Sequence, residues 1–484
     1  MSCKNDCSDI VRLLIEKGAE VNVSDMNGQT SLILLCKHDN IDIVRLLIEK
    51  GADINVSDMY RDTPLILSCR NDNSDIVRLL IEKGAEVNVS DMDQDIPLLL
   101  SCRNGNRDIV RLLIEKGAEV NVSDCDGKTP LILACEKDNS DTIRLLIEKG
   151  AKVNGTDFTR KNPLIWSCYN DNSDIVRLLI EKGAEVNISD MDRDTPLILS
   201  CRNDNSDIVR LLIKKGADIS VFNIRGESSL LLSCKNNNSD IVRLLIETGA
   251  DVNVSDMNRE TPLICSCKKD NKDIVRLLIE KEAYINLSDT SGYTALIWSC
   301  WNDNIDIVRL LIKKGADVNV SDMDEDTPLI LSCKNNNSDI VRLLIEKEAD
   351  IDVSNGSEET PLILSCKNGN YSIVQLLIVK GAAINVRDYD GMTALSYASK
   401  HVFIEIVIEL SRNGADLFLA DNNGKTPLMY ANETGNRKIE NFFSKHLYTL
   451  QICDRKRKIH ENETDTEVIY ERVAKYRKIE NDQH

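Results

Sequence analysis

Apolar residues in this chain alternate between two short signatures. The first is opened by threonine and proline, as in Thr63-Pro64-Leu65-Ile66-Leu67-Ser68-Cys69-Arg70; the second is Asp75-Ile76-Val77-Arg78-Leu79-Leu80-Ile81-Glu82-Lys83-Gly84-Ala85. Pro64 suits the first position of a helix, where a missing N–H costs nothing, and Thr63 suits its cap. The pattern therefore predicts a helix from Pro64 to about Arg70 and a polar break at Asn71-Asp72-Asn73. A second helix, capped by Asn73 or Ser74, follows through Ile76 to Lys83, with Asp75 at the positive end of its dipole. Gly84 supplies the left-handed stop, and Glu86-Val87-Asn88-Val89 leads to the next polar finger.

The same phrase returns along most of the chain. Its glycine falls at Gly18, Gly51, Gly84, Gly117, Gly150, Gly183, Gly216, Gly249, Gly315, Gly381 and Gly414, always 33 residues or a multiple apart, with Glu282 and Glu348 on the two missing beats. A side chain costs about 1 kcal/mol more than glycine in that turn, so these two junctions should be softer than the rest. Neither helix of a unit reaches the ~12 residues at which an isolated helix is even marginal. Ile76, Val77, Leu79, Leu80 and Ile81 are apolar around too much of the helix for one contact, which suits a layer flanked by copies of itself.

Thr-Pro-Leu, a helix–loop–helix and Leu-Leu-Ile-Glu-Lys-Gly-Ala at a period of 33 residues resemble the ankyrin repeat over about residues 1–447. The resemblance implies an all-α solenoid of helix-turn-helix units with β-hairpin-like finger loops. Residues 1–24 would be a partial repeat holding only a second helix, 25–420 twelve full repeats, 421–447 a C-terminal capping repeat, and 448–484 a charged tail. Two departures stand out. The family's histidine after Thr-Pro-Leu is replaced, as by Ile66, Ile132, Ile198, Ile264, Ile330 and Ile363, so dispersion contacts are expected in place of its hydrogen bond. The hairpin-tip glycine gives way to Arg61, Gln94, Arg160, Arg193, Arg259, Glu325 and Glu358, which makes the fingers the least determined part of the fold. At the start, a frayed terminus, a missing upstream portion and an apolar edge able to self-associate are all open. At the other end, Ile439, Phe442 and Phe443 are expected to face inward and Glu440 and Ser444 outward.

Composition narrows the function. Aromatics are only 4% of residues, and 79 acids against 60 bases give a net charge of −19, which disfavours nucleic-acid binding. No apolar run approaches a membrane span, and the first residues do not read as a secretory signal. The sixteen cysteines therefore need an explanation in a reducing, intracellular setting. Eleven of them, from Cys36 to Cys366, recur at one register position. Stacked equivalents should lie about 10 Å apart, too far for a disulfide or a shared zinc, so the ladder reads as small buried apolar residues. Five scattered histidines, and the absence of a phosphate-binding loop or dinucleotide fingerprint, argue against an enzyme and against a cofactor.

What varies over the constant frame is the candidate binding surface; the resemblance implies a concave groove lined by finger tips and first-helix ends that grips a partner protein. At the last exposed position of the first helix stand Arg70, Arg103, Arg202, Lys235 and Lys268, among other bases, beside finger acids such as Asp62, Asp95, Asp194 and Asp326. Either this striped surface recognises a partner or the two stripes neutralise each other. Two repeats break the basic line with aromatics, Trp166-Ser167-Cys168-Tyr169 and Trp298-Ser299-Cys300-Trp301. Trp166 and Trp298 take a position usually held by leucine and are expected in the core; Tyr169 and Trp301 are expected on the surface. Tyr169 and Trp301, with Phe158, Arg160 and Tyr293, are the candidate anchors for a protein partner. The expected molecule is a monomeric, non-catalytic scaffold. An alternative makes it the recognition arm of a ubiquitin-ligase adaptor or of a microbial or viral effector, with the tail recruiting other subunits. The basic run Arg455-Lys456-Arg457-Lys458 is a weak nuclear signal, so a cytoplasmic address is favoured.

Overall fold

The computed structural model describes residues 8–38 and 40–445, and the chain divides into two units, Met1–Asp251 and Val252–His484. Each unit is a succession of helix pairs. In the first, Pro64–Arg70 is followed by Ser74–Glu82 and Pro196–Arg202 by Ser206–Lys214; in the second, Ala295–Trp301 is followed by Ile305–Lys313 and Pro328–Lys334 by Ser338–Glu346. First helices pack on the first helices of adjacent pairs and on their own second helices. This supplies the burial that two-turn helices cannot find alone.

The local rules place the ends. Thr63 caps its helix by accepting from the Ile66 N–H at 3.2 Å, with Pro64 as the first helical residue. Within the helix, the Ser68 hydroxyl donates to the Pro64 carbonyl at 2.8 Å, so a buried serine is satisfied without leaving its own helix. Ile66 is fully buried where the family places histidine, in line with dispersion contacts at that position.

Between pairs, asparagine does work that its short side chain, with a carbonyl acceptor and an NH2 that donates twice, suits it for. The Asn106 Oδ1 accepts from Ile109 N–H to cap its own helix, while its Nδ2 donates to Asp72 Oδ1 and Ser74 Oγ of the preceding pair at 2.7 and 2.9 Å. Asn104 Nδ2 reaches back to the Cys69 carbonyl at 2.9 Å. Asn88 reaches forward, donating to the Gly117 carbonyl and accepting from Glu119 N–H, both at 3.0 Å. Equivalent bonds recur in the second unit, as with Asn286 to Gly315 and Asn302 to Cys267.

The fingers differ from β-hairpins. Each is a tight turn: Asp58 N–H donates to the Asp62 carbonyl, Arg61 N–H donates back to the Asp58 carbonyl, and Asp58 Oδ1 accepts from the N–H groups of Tyr60 and Asp62. One bond ties it to its predecessor, Met59 N–H to the Asn27 carbonyl at 2.9 Å. Among the described residues, β pairing outside these turns amounts to isolated bridges such as Phe222 with Ser228 and Ser288 with Thr294. The buried aspartate does what a ladder would, so replacement of the tip glycine leaves the turn intact. Arg61, Gln94, Arg160, Arg193, Arg259, Glu325 and Glu358 all hold the left-handed conformation, with φ between 58 and 64°.

Two further expectations are revised. Trp166 and Trp298 are half-buried rather than in the core, since an indole at a leucine position overfills it and its edge stays at the surface. Near the C-terminal end of the described residues, 437–445 are helical with Ile439 and Phe443 fully buried and Ser444 exposed, but Phe442 and Glu440 are both half-buried. In the helix Ser8–Glu16, Ile10, Leu13 and Leu14 are 50, 55 and 49% exposed.

Glu282 and Glu348 adopt φ of 63° at the junctions where other repeats have glycine. Replacing either by glycine should raise stability by up to about 1 kcal/mol and slow amide exchange at that junction. Unchanged melting and exchange in Glu348→Gly would show that the junction carries no strain.

Candidate partner-binding surface

The opening aspartate of most fingers, replaced by asparagine at Asn223 and Asn355, organises this surface. One oxygen, Oδ1, closes the turn; the other, Oδ2, points to the end of the preceding first helix. Arg70 Nη2 lies 2.5 Å from Asp91 Oδ2 and 2.9 Å from Asp62. Arg103 makes a two-pronged contact with Asp95 at 2.9 and 3.0 Å and also reaches Asp124 Oδ2 at 3.0 Å. Arg202 grips Asp194 at 2.7 and 2.8 Å and approaches Glu227 at 3.7 Å. Lys235 meets Glu227 at 3.4 Å, Lys268 meets Glu260 at 3.0 Å and Lys334 meets Asp326 at 2.6 Å. The basic line is thus occupied by finger carboxylates: of the two readings of the stripes, mutual neutralisation describes this geometry. Burial pushes the Glu227 and Glu359 carboxyls up, but hydrogen bonds and charge, from Asn223 and then Lys235 at Glu227 and from Lys367 and Asn355 at Glu359, hold both below their usual range.

The aromatic repeats break this arrangement in each unit. In the first unit Tyr169 is 57% exposed and meets Trp166 edge to face, with centroids 5.9 Å apart. Lys161 stands over both rings, its Nζ 4.6 Å from the Trp166 centroid and 5.5 Å from that of Tyr169. Phe158 is 68% exposed at the finger, beside Arg160 at its tip, and its ring rests on Gly127 of the preceding finger. A Cβ there would stand 3.0 Å from the ring, tighter than ordinary contact, so a side chain at this position would require the exposed Phe158 ring to shift.

In the second unit Trp301 is 53% exposed, and one helical turn before it Trp298 stacks on Tyr293 with centroids 4.8 Å apart. Lys268 Nζ lies 4.9 Å from the Trp298 ring centre. The candidates therefore form two separate groups, Phe158, Arg160 and Tyr169 in the first unit and Tyr293 and Trp301 in the second. Missed from sequence were Lys161, Trp166 and Trp298 as part of this surface. Their signal was an indole at a position sized for leucine, beside a finger that carries lysine or tyrosine.

The cysteine ladder is buried throughout, and burial pushes the thiols of Cys36, Cys69, Cys135, Cys168, Cys201, Cys267, Cys300 and Cys333 up to about 12. They are neutral, packed side chains at physiological pH. Cys125 is exposed. Among the described residues no cluster of three or more His, Cys, Asp or Glu is arranged to hold a metal ion, and no helix is long and apolar enough to cross a membrane. Residues 455–458 and the rest of the tail lie outside the described residues.

Stacked helix pairs joined by turn-closed fingers define a helical repeat protein. A family model described as ankyrin repeats matches residues 1–91, 89–157, 155–223, 230–322, 317–388 and 372–449, and the chain belongs to that family. Ankyrin repeats generally mediate protein–protein interaction. A search of curated proteins found no match.

Two measurements check the surface chemistry. Native-state alkylation should modify Cys125 and spare the ladder cysteines; equal rates at Cys125 and Cys201 would contradict their burial. Arg103→Ala leaves the buried Asp95 and Asp124 carboxylates without their cation and should cost about 1–3 kcal/mol in denaturant unfolding. The exposed Arg78, 3.9 Å from Asp108, should cost less than about 0.5 kcal/mol when changed to alanine.

Proposed function

We propose that the protein is a non-catalytic scaffold that holds a partner protein on the finger side of its repeats, with Tyr169 and Trp301 as the principal anchors and Phe158, Arg160 and Tyr293 beside them. One observation carries this reading: at the position where other repeats place an ion-paired base, these two repeats present a large aromatic side chain to solvent. Exposed tyrosine and tryptophan inside a charged rim are the residue types that dominate binding energy in protein interfaces. The ion-paired Arg70, Arg103, Arg202, Lys235 and Lys268 form the rim, and rim charges contribute more to encounter rate and selectivity than to affinity. The net charge of −19 favours a partner whose contact surface is basic. A frame already ordered by its neighbours binds without an ordering cost, which fits a preformed surface rather than one that folds on its partner.

The buried thiols, none in a disulfide among the described residues, fit a reducing, intracellular compartment, and no step of this function calls for a cofactor. Affinity capture with the wild type, the Tyr169→Ala/Trp301→Ala double variant and an Arg78→Ala control tests the reading. The double variant should lose at least about tenfold in affinity for each specifically captured protein, with the control unchanged. Equal capture by all three proteins would refute it.

A further inference from the structure

We infer that the surface around Trp301 is a receptor for an arginine side chain of a basic partner segment, which pairs with the Asp322 carboxylate beside the Trp301 and Tyr293 rings. This deepens the scaffold reading and rests on it.

The repeat register points to this site. Where the first helix ends in arginine, its guanidinium reaches the opening aspartate of the next finger 21 residues on, Arg70 to Asp91 and Arg103 to Asp124. Where that donor is missing, a tyrosine can serve, as Tyr397 and Tyr430 donate to Asp388 and Asp421 at 2.8 and 2.5 Å. The second oxygen of this aspartate is thus a position the frame supplies with a donor. Trp301 occupies the arginine position, and 21 residues on stands Asp322, only 6% exposed. Its Oδ1 closes the finger by accepting from the N–H groups of Asp324 and Asp326 at 2.9 Å. Its Oδ2 is buried and has no hydrogen-bond partner.

The first unit shows what belongs there. Its equivalent aromatic repeat has Tyr169 at the arginine position, and the following aspartate is Asp190. There the finger contributes Lys161, which lies over the Trp166 and Tyr169 rings; burial pushes the Asp190 carboxyl up, and the Lys161 charge partly opposes that. In the second unit the residue in register with Lys161 is Tyr293. Arginine and lysine have both been replaced by rings, while the carboxylate they would serve is retained. The lysines at the first-helix ends of the two flanking repeats are engaged, Lys268 with Glu260 and Lys334 with Asp326. Burial first, then the charges of Asp322, Asp324 and Asp326, hold the Tyr293 phenol above its ordinary value, so that ring stands in a negative field. Asp157 Oδ2 in the first unit is likewise unpartnered, but the position in register with Trp301 there holds Glu136, paired with Lys128.

A planar cation between an indole face and a carboxylate suits arginine better than lysine, because the guanidinium stacks and donates two parallel bonds at once. Oδ2 is covered, so entry requires a side chain to move; Trp301, more than half exposed, has the freedom to do so.

The test uses the full chain with isotope-labelled tryptophan, whose three indole N–H signals report separately by NMR. The probes are the capped peptide Gly-Ser-Arg-Ser-Gly and its lysine and citrulline counterparts. The arginine peptide should shift the Trp301 signal saturably, the lysine peptide more weakly, and the neutral citrulline peptide not at all, while Trp166 stays still. Asp322→Asn should weaken arginine binding about tenfold. That variant keeps the finger, since the chain itself uses Asn223 and Asn355 at this position with the same two backbone bonds. Trp301→Arg fills the position from within; followed at Trp298, it should no longer respond to the peptide and should melt no lower than wild type. Equal shifts from the arginine and citrulline peptides, no shift up to about 10 mM, or binding unchanged in Asp322→Asn would each overturn the arginine assignment. If the assignment falls while Trp301→Ala still abolishes partner capture, the scaffold reading survives it.

Discussion

A helix of two turns buries its apolar residues only against something outside itself, and the repeats of each unit answer that constraint with their own neighbours. Ile208, Val209 and Leu212 in the first unit and Ile307, Val308 and Leu311 in the second are almost fully buried on helices of nine residues. That burial works only if each pair arrives in the same orientation as the last. The asparagine bonds from pair to pair, and the single backbone bond from finger to finger, hold that orientation. Ile66, Cys69 and Ser68 then fit the first-helix layer because each is small or apolar, with its polar atoms satisfied inside its own helix.

Once the frame is fixed, the surface has little freedom left. The finger aspartate must spend one oxygen on its turn, and its second oxygen then sits, buried, where the preceding helix ends. A base at that helix end is drawn into pairing by its own frame before any partner arrives. The pairing is interrupted where this position holds another kind of side chain, as at Tyr169 and Trp301, and the proposed recognition rests on those two aromatics. The two aromatic repeats are not equivalent: Lys161 lies over both rings of the first, whereas in the second Tyr293 takes its register position and Lys268 lies over Trp298.

Much of this was legible in the sequence, for reasons that are local. Pro64 after Thr63, the glycine at the close of most second helices, and the 33-residue period determine helix ends and register through backbone chemistry alone. The cysteine ladder was legible because a distance argument on stacked equivalents excludes a disulfide. Other features depend on contacts between repeats, which local pattern does not encode. The left-handed turns at Arg61 and Glu325 survive without glycine because Asp58 and Asp322 close them from inside. Trp166 and Trp298 read as core from their position, but an indole is too large for a space sized for leucine. Whether Arg70 faced a partner or Asp91 turned on where two fingers sit relative to one helix end. The asparagines of the connectors were visible as a composition and carried no meaning until their partners, about 30 residues away in either direction, were in place.

The claim on which the rest stands is that each pair is held by the pairs beside it. Hydrogen exchange followed by mass spectrometry on the full chain and on Val209→Asp tests it most directly. Val209 is completely buried in Ser206–Lys214, and a carboxylate there breaks that pair from within. Neighbour-dependent stability predicts that protection is lost in residues 196–214 and also in the flanking helices Ser173–Glu181 and Ser239–Glu247, which carry no substitution. Loss confined to residues 196–214, with both flanking helices as protected as in wild type, would contradict the account.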